Sequence, residues 1–392
     1  MRKIQDLSLK DKKILVRVDF NVPCDHDQIT DDTRIQAVLP TIRYVLDHGG
    51  TPILLSHRGR PKGKFDASLS LAPCAQRLQK LLGSPVLFGS DCIGEEAIQK
   101  VSQLKKGEIL LLENLRFHEA EEKPEKDPSF AAQLAALGEC YINEAFATSH
   151  RPHSSMVPIT NYFSKNCVGA GLLLQKEVEF LGGIFKNPQR PLVAIIGGAK
   201  ISTKIKAIES LLPHLDSLLI GGGMAFTFLK AQGVEIGKSL CEPDKVSTAA
   251  EIIEKCRTKK IKLLLPIDHL IVNSLNDPEV NTISGDIPQE KMGVDIGPKT
   301  SALYEEVIMS AGTIFWNGPM GVFENPLFAG GTQALAETLA KSGAVTVVGG
   351  GETVDAIHRL GLEKNFTHIS TGGGASLEFI EQMTLPAIAE LE

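Results

Sequence analysis

Leu192-Val-Ala-Ile-Ile196 runs directly into Gly197-Gly198 and then into a helix-like pattern. The form recurs at Leu218-Leu-Ile220 into Gly221-Gly-Gly223, Val345-Thr-Val-Val348 into Gly349-Gly-Gly351, and Thr367-His-Ile-Ser370 into Gly372-Gly-Gly374. A short apolar run, a glycine turn and a helix start describe a βα unit. Glycine permits the tight turn and lets backbone N–H groups approach a ligand closely. The helix N-terminus behind it carries partial positive charge. Four such units in one half of the chain predict a parallel sheet whose strand ends converge on an anionic group such as phosphate.

The first half also holds strand-like runs, but they end in charge rather than glycine. Ile14-Leu-Val-Arg-Val18 ends in Asp19-Phe-Asn21, and Pro52-Ile-Leu-Leu55 in Ser56-His-Arg-Gly-Arg60. Ile109-Leu-Leu-Leu112 ends in Glu113-Asn-Leu-Arg116, and Cys140-Tyr-Ile142 in Asn143-Glu-Ala-Phe146 followed by Thr148-Ser-His-Arg151. Open α/β sheets bind ligands at the carboxyl ends of their strands. The two halves therefore read as two anion sites, one built of side-chain cations and one of backbone amides.

At 392 residues the chain suits two or three domains of about 150 residues each. The composition, 43% hydrophobic and 22% charged, is that of an ordinary globular protein. A net charge of −6 argues against non-specific nucleic-acid binding, which needs a broad positive field. Seven scattered cysteines without a C-x-x-C pair point to a reduced, cytoplasmic protein rather than a disulfide framework or zinc site. Charges interrupt every long apolar window, so no membrane span is expected.

Helical spacing runs from Thr33 to His48 and stops at Gly49-Gly50, and again from Leu71 to Leu82, stopping at Gly83. His118 to Pro128, charged and proline-containing, reads as a solvated loop. Leu172 to Phe185 reads as a helix separating the charged-end strands from the glycine-end strands. The expected division is a first domain over 1–171, a connector over 172–191 and a second domain over 192–375. The helical segment 376–392, which contains Pro386, follows.

Gly233-Val-Glu-Ile-Gly-Lys-Ser239 is one residue short of a phosphate-binding P-loop and follows a helical run, so it reads as a helix C-cap and loop. No G-x-G-x-x-G fingerprint occurs, which weakens a dinucleotide site. His150 and His153 lack further metal ligands nearby, and Trp316 reads as a core aromatic followed by Asn317 and Gly318. Lys200 and Lys204, four apart at an expected helix start, would share one face there. Cations in that position oppose the helix dipole and each other unless an anion lies between them. Arg34, Arg58, Arg60, Arg116 and Arg151 crowd one sheet edge and would repel each other without an anion.

Arg17-Val-Asp-Phe-Asn-Val-Pro23, Ser56-His-Arg-Gly-Arg-Pro61, Glu113-Asn-Leu-Arg-Phe117, Gly197-Gly-Ala-Lys-Ile-Ser-Thr-Lys204, Trp316-Asn-Gly-Pro-Met-Gly-Val-Phe-Glu324 and Gly349-Gly-Gly-Glu-Thr353 resemble the phosphoglycerate kinase family, in order and over essentially the whole chain. The resemblance implies two doubly wound, Rossmann-like α/β domains joined by a helix, with 376–392 docking back on the first. It implies reversible transfer of the acyl phosphate of 1,3-bisphosphoglycerate to Mg²⁺-ADP, giving 3-phosphoglycerate and ATP, by a cytoplasmic monomer. By matching positions, Asp19, Phe20, Asn21, Arg34, His57, Arg58, Gly59, Arg60, Arg116 and Arg151 would bind phosphoglycerate. Gly198, Lys204, Gly293, Asn317, Glu324, Gly350, Gly351, Glu352 and Thr353 would bind nucleotide, with Glu352 near the Mg²⁺. Arg34 and Lys200, helped by amides near Gly351 and Gly373, would steady the phosphoryl group in transfer. Two places depart from the family's usual pattern: Glu352 stands for Asp, and Glu144-Ala-Phe-Ala147 for Asp-Ala-Phe-Gly. A dinucleotide-dependent oxidoreductase, which would need the missing fingerprint, and a non-catalytic nucleotide-binding protein are the alternatives.

Overall fold

The short apolar runs become parallel strands. A computed structural model describes residues 1–25 and 27–392, and the chain divides into two units, Met1–Val178 with Thr384–Glu392, and Glu179–Met383.

In the first unit, β1 (Lys13–Arg17), β2 (Thr51–Leu55), β3 (Val86–Phe88), β4 (Ile109–Leu111), β5 (Cys140–Asn143) and β6 (Val168–Ala170) form one sheet in the order β3-β4-β2-β1-β5-β6. Every pairing is parallel. The central strands are buried on both faces, as their near-continuous apolar runs require. Helix Thr33–Asp47 lays Ile35, Val38, Ile42 and Val45 into the same core as Ile14, Val16 and Leu54. The chain builds outward from β1 to one side and then returns to β5 on the other, so the switch point lies between β1 and β5. Asp19 and the Phe146–Thr148 turn follow those two strands.

The second unit repeats the plan. Its strands are β7 (Leu192–Ile196), β8 (Ser217–Ile220), β9 (Lys262–Leu264), β10 (Asp268–Val272), β11 (Asn281–Ser284), β12 (Met292–Ile296), β13 (Thr313–Asn317), β14 (Val345–Gly349) and β15 (His368–Ile369). Six of them form a parallel sheet in the order β9-β8-β7-β13-β14-β15, with its switch point between β7 and β13. The other three form an antiparallel sheet, β11-β10-β12, that the apolar pattern does not announce.

Three expectations are corrected. The segment 118–128 is solvated over most of its length but not at its start: it holds a helical turn, Glu119–Glu122, and Glu121 has no exposed surface because it faces the buried Arg17 and Ser155. Lys200 and Lys204 do not share a helix face. Lys200 is extended, a 3-10 turn occupies Ile201–Thr203, and the α-helix begins only at Ile205. The returning segment starts later than Ser376, because Ala375, Phe379 and Ile380 bury helix Gly374–Gln382 within the second unit. Only Thr384–Glu392 belongs to the first unit. It is held there by hydrogen bonds from Ala387 N to Ser149 O (3.1 Å) and from Arg2 N to Leu391 O (2.6 Å).

Candidate functional site

At the carboxyl edge of the first sheet the charged strand ends meet. The Arg34 guanidinium donates to Asp19 Oδ2. Asp19 Oδ1 accepts from Asn21 N at 3.0 Å, and Asn21 Oδ1 accepts from Gly59 N at 2.9 Å, so the ends of β1 and β2 are tied together. Gly59 is left-handed (φ 63°) and its carbonyl accepts from Arg116 Nη1 at 2.9 Å. Arg116 also faces Glu122, with Nε 3.2 Å from Oε1. Arg60 and Arg151 are exposed.

Two expected contacts sit differently. Arg58 is turned inward, 6% exposed, with Nη1 on the Ser70 carbonyl at 2.9 Å. Phe20 has its ring in the core and its N–H on Ser56 Oγ at 2.8 Å.

His57 is buried beside Arg17, whose Nη2 lies 3.2 Å from His57 Nδ1. Burial, then the charges of Arg17, Arg116, His153 and Arg34, hold its pKa well below the usual imidazole range. Arginine can only donate, so Nδ1 is the acceptor and the neutral ring carries its proton on Nε2, free to donate.

The motif residues outside the expected site do the fastening. Arg17, fully buried, donates from Nε to Ser155 Oγ (2.8 Å), and Ser155 donates in turn to Glu121 Oε1 (2.7 Å). Asn114 accepts from the N–H groups of both Arg58 (3.2 Å) and Arg116 (3.1 Å) and donates to the Arg58 carbonyl (2.7 Å). Glu113 accepts from Ser70 Oγ and Leu71 N. Arg17, Glu113 and Asn114 lie inside the quoted sequence motifs and could be found there; Glu121 carries no such signal.

In the second unit the glycine turns after β7, β8 and β13 press against one another. A Cβ on Gly222 would stand 2.5 Å from Gly198 N and 2.9 Å from Pro319 O, so a side chain there would strike main chain. Beside these turns lies a cavity of about 320 Å³, lined among others by Gly198, Gly223, Phe226, Leu240, Met292, Gly293, Pro319, Glu324 and Glu352. Gly293 donates its N–H to Ser239 Oγ at 2.9 Å, and its Cα faces the Phe226 ring too closely for any side chain.

Lys204 donates from Nζ to Asn317 Oδ1, joining the loop that follows β7 to the last residue of β13 at the switch point. Burial pushes its pKa down to about 8, opposed by the Glu352 carboxylate. Lys200 is exposed. Gly350 (φ 91°) precedes helix Gly351–Leu360, whose first turn carries Glu352. Thr353 is buried, and its hydroxyl accepts from Gly318 N at 2.6 Å. Gly373 (φ 54°) stands before helix Gly374–Gln382. Each half thus has donors converging on a strand edge where an anion would be received.

The phosphoglycerate kinase family model matches residues 4–383. The chain belongs to the phosphoglycerate kinase family. It is 51% identical to a phosphoglycerate kinase of Koribacter versatilis, over 99% of this chain and 98% of that one. With one from Chlorobium chlorochromatii the identity is 52%, at 99% and 98% coverage. Among solved structures it is similar to phosphoglycerate kinase from Coxiella burnetii, with a TM-score of 0.88, 40% identity and 99% and 98% coverage. The enzyme from Pyrococcus horikoshii OT3 gives a TM-score of 0.85 at 32% identity, over 100% of this chain and 98% of that one. Two parallel-sheet α/β domains are the fold of this family.

Proposed function

We propose that this chain is a phosphotransferase with a carboxyl group as acceptor. It transfers the acyl phosphate of 1,3-bisphosphoglycerate reversibly to ADP, giving 3-phosphoglycerate and ATP. The observation that carries this is a family-wide match on a chain whose first unit ends its strands in cations and whose second ends them in glycine turns around a cavity. An oxidoreductase is not favoured.

The first unit supplies the phosphoglycerate side. Arg34, Arg60, Arg116 and Arg151 meet the anionic groups, neutral His57 donates from Nε2, and Asp19 orients Arg34. In the second unit the apolar walls of the cavity, Phe226, Leu240 and Met292 among them, suit a nucleobase. Lys204, Asn317 and the amides of the Gly350–Thr353 turn suit its phosphates.

Phosphoryl transfer asks chiefly for positioning and charge neutralisation. The attacking oxygen, a carboxylate or an ADP phosphate oxygen, is already ionised at neutral pH, so a general base is unnecessary. Arg34 and Lys200 are proposed to hold the moving phosphoryl group, whose charge spreads over its peripheral oxygens. Preorganised donors aimed at such charge stabilise a transition state by several kcal/mol in total, about 3–4 kcal/mol for one well-placed donor.

The family uses its nucleotide with a metal ion, here proposed to be Mg²⁺. Glu352 and Glu324 both line the cavity and give a hard-oxygen donor set that fits such an ion. Glu352 is proposed to hold it directly or through a water. When bound, the ion supplies neutralisation of phosphate charge. The protein is proposed to act in the cytoplasm as a monomer; its seven free cysteines suit a reducing compartment. The test is a coupled assay for ATP formed from ADP and 1,3-bisphosphoglycerate. Absence of ATP, with nicotinamide cofactor reduced instead, would overturn the reading.

A further inference from the structure

Cys140 and Cys167 stand side by side at the amino-terminal edge of the first sheet, the edge away from the substrate-facing strand ends. Cys140 opens β5, and Cys167 immediately precedes β6. The two strands pair in parallel with Tyr141 opposite Val168, which sets the cysteines, one residue earlier, opposite each other. Neighbouring strands lie about 4.8 Å apart, inside the roughly 4.4–6.8 Å between Cα atoms that a disulfide spans. Lys12 Nζ donates toward Cys140 Sγ at 3.9 Å. Both are reduced in this structure. No other part of the proposed reaction uses them.

We propose that Cys140 and Cys167 form a reversible oxidation site whose co-reactant is a low-molecular-weight disulfide, R–S–S–R. The roles divide by environment. Cys140 is buried and Cys167 partly exposed, so a small disulfide reaches Cys167 first. Burial pushes the Cys167 thiol up, but hydrogen bonds to Ser164 and Cys140 and the Lys12 charge outweigh it and bring it below the ordinary thiol value. The Cys140 thiol, by burial and by its hydrogen bond to Cys167, is pushed up to about 12. The thiolate is the nucleophile, which makes Cys167 the attacking sulfur and Cys140 the resolving one.

In the first step Cys167 Sγ attacks one sulfur of R–S–S–R. A Cys167–S–S–R bond forms, the S–S bond of the reagent breaks, and RS⁻ leaves. In the second, Cys140 loses its proton and its sulfur attacks Cys167 Sγ, expelling the second RS⁻. Two cysteine thiols are oxidised to one disulfide, the reagent is reduced to two thiols, and the two cysteine protons end on them. The product ties β5 to β6, the edge strand that runs straight into helix Leu172–Lys186.

The test incubates the folded, full-length protein with oxidised glutathione, then counts thiols and maps disulfide-linked peptides by mass spectrometry. The thiol count should fall by two, with Cys140 and Cys167 in one linked peptide, and dithiothreitol should restore both. Cys140→Ser should stop at the first step and accumulate one glutathione on Cys167. Cys167→Ser should leave Cys140 unmodified. Lys12→Gln should slow the first step several-fold. Cross-linking seen only after denaturation, glutathione on other cysteines with this pair untouched, or no mixed disulfide in folded Cys140→Ser would each overturn the proposal.

Discussion

Lys204 sets up a titration that binding can read directly. Its ammonium is largely buried, donates to Asn317, and has its pKa pushed down to about 8 by burial, against the pull of Glu352. A phosphate held by that ammonium needs the protonated form. If the complex keeps Lys204 charged throughout, the apparent Kd rises with pH in proportion to 1 + 10^(pH − 8). From pH 7.5 to 9.5 that is roughly 25-fold. ADP phosphates are already ionised over this range and add no slope. Lys204→Met keeps the stem and removes the charge. Losing one charge-assisted hydrogen bond of about 1.5–3 kcal/mol should weaken binding at pH 7.5 by roughly 10- to 150-fold. The variant's own profile should then be flat. Calorimetric titration of ADP into both proteins at several pH values measures it. A flat wild-type profile, or a variant as steep as the wild type, would refute the assignment of Lys204 to the phosphates.

Arg34→Met should lower turnover by roughly 10²-fold or more while weakening 3-phosphoglycerate binding much less; steady-state kinetics with near-normal turnover would remove Arg34 from the transfer step. Glu352→Gln should raise the Mg²⁺ concentration needed for nucleotide use, because one anionic oxygen donor is lost; an unchanged Mg²⁺ dependence would assign the ion to another carboxylate. Glu121→Ala should cost about 3–5 kcal/mol in urea unfolding, since it strands the Arg17 charge with no exposed surface. A loss below about 1 kcal/mol would show that Ser155 and the Val18 carbonyl, which accepts from Arg17 Nη1, suffice for Arg17.

Much of this was legible before the structure, for definite reasons. Central strands buried on both faces leave unbroken apolar runs, and turns that let main chains touch leave glycines, so the βα units and their site-facing ends stood out. The edge strands of the first sheet did not: Val86–Phe88 and Val168–Ala170 are too short to show a period. The pairing of Lys200 with Lys204 failed because four-residue spacing means a shared face only inside a helix, and the chain stays extended at Lys200. Composition hid Glu121, since a glutamate among charges reads as solvated until a buried arginine across the fold claims it. Arg58 shows the converse error: a cation in the right motif can spend its donors on a neighbouring carbonyl.

The placement of Thr384–Glu392 has a consequence for how the molecule is made. Those residues complete the unit that begins at Met1, with Leu391 bonded to Arg2 and Ala387 to Ser149. A ribosome therefore finishes everything else in the first unit by Val178, and then threads out the whole of the second before the missing piece exists. At roughly 5–20 residues per second, about 200 intervening residues impose a delay of roughly 10–40 s. Throughout it, the apolar patch around Ala145 and Met156 that Ala387 covers stays open to solvent. The first unit therefore closes only after the second has been synthesised, and the order of folding cannot simply follow the order of translation.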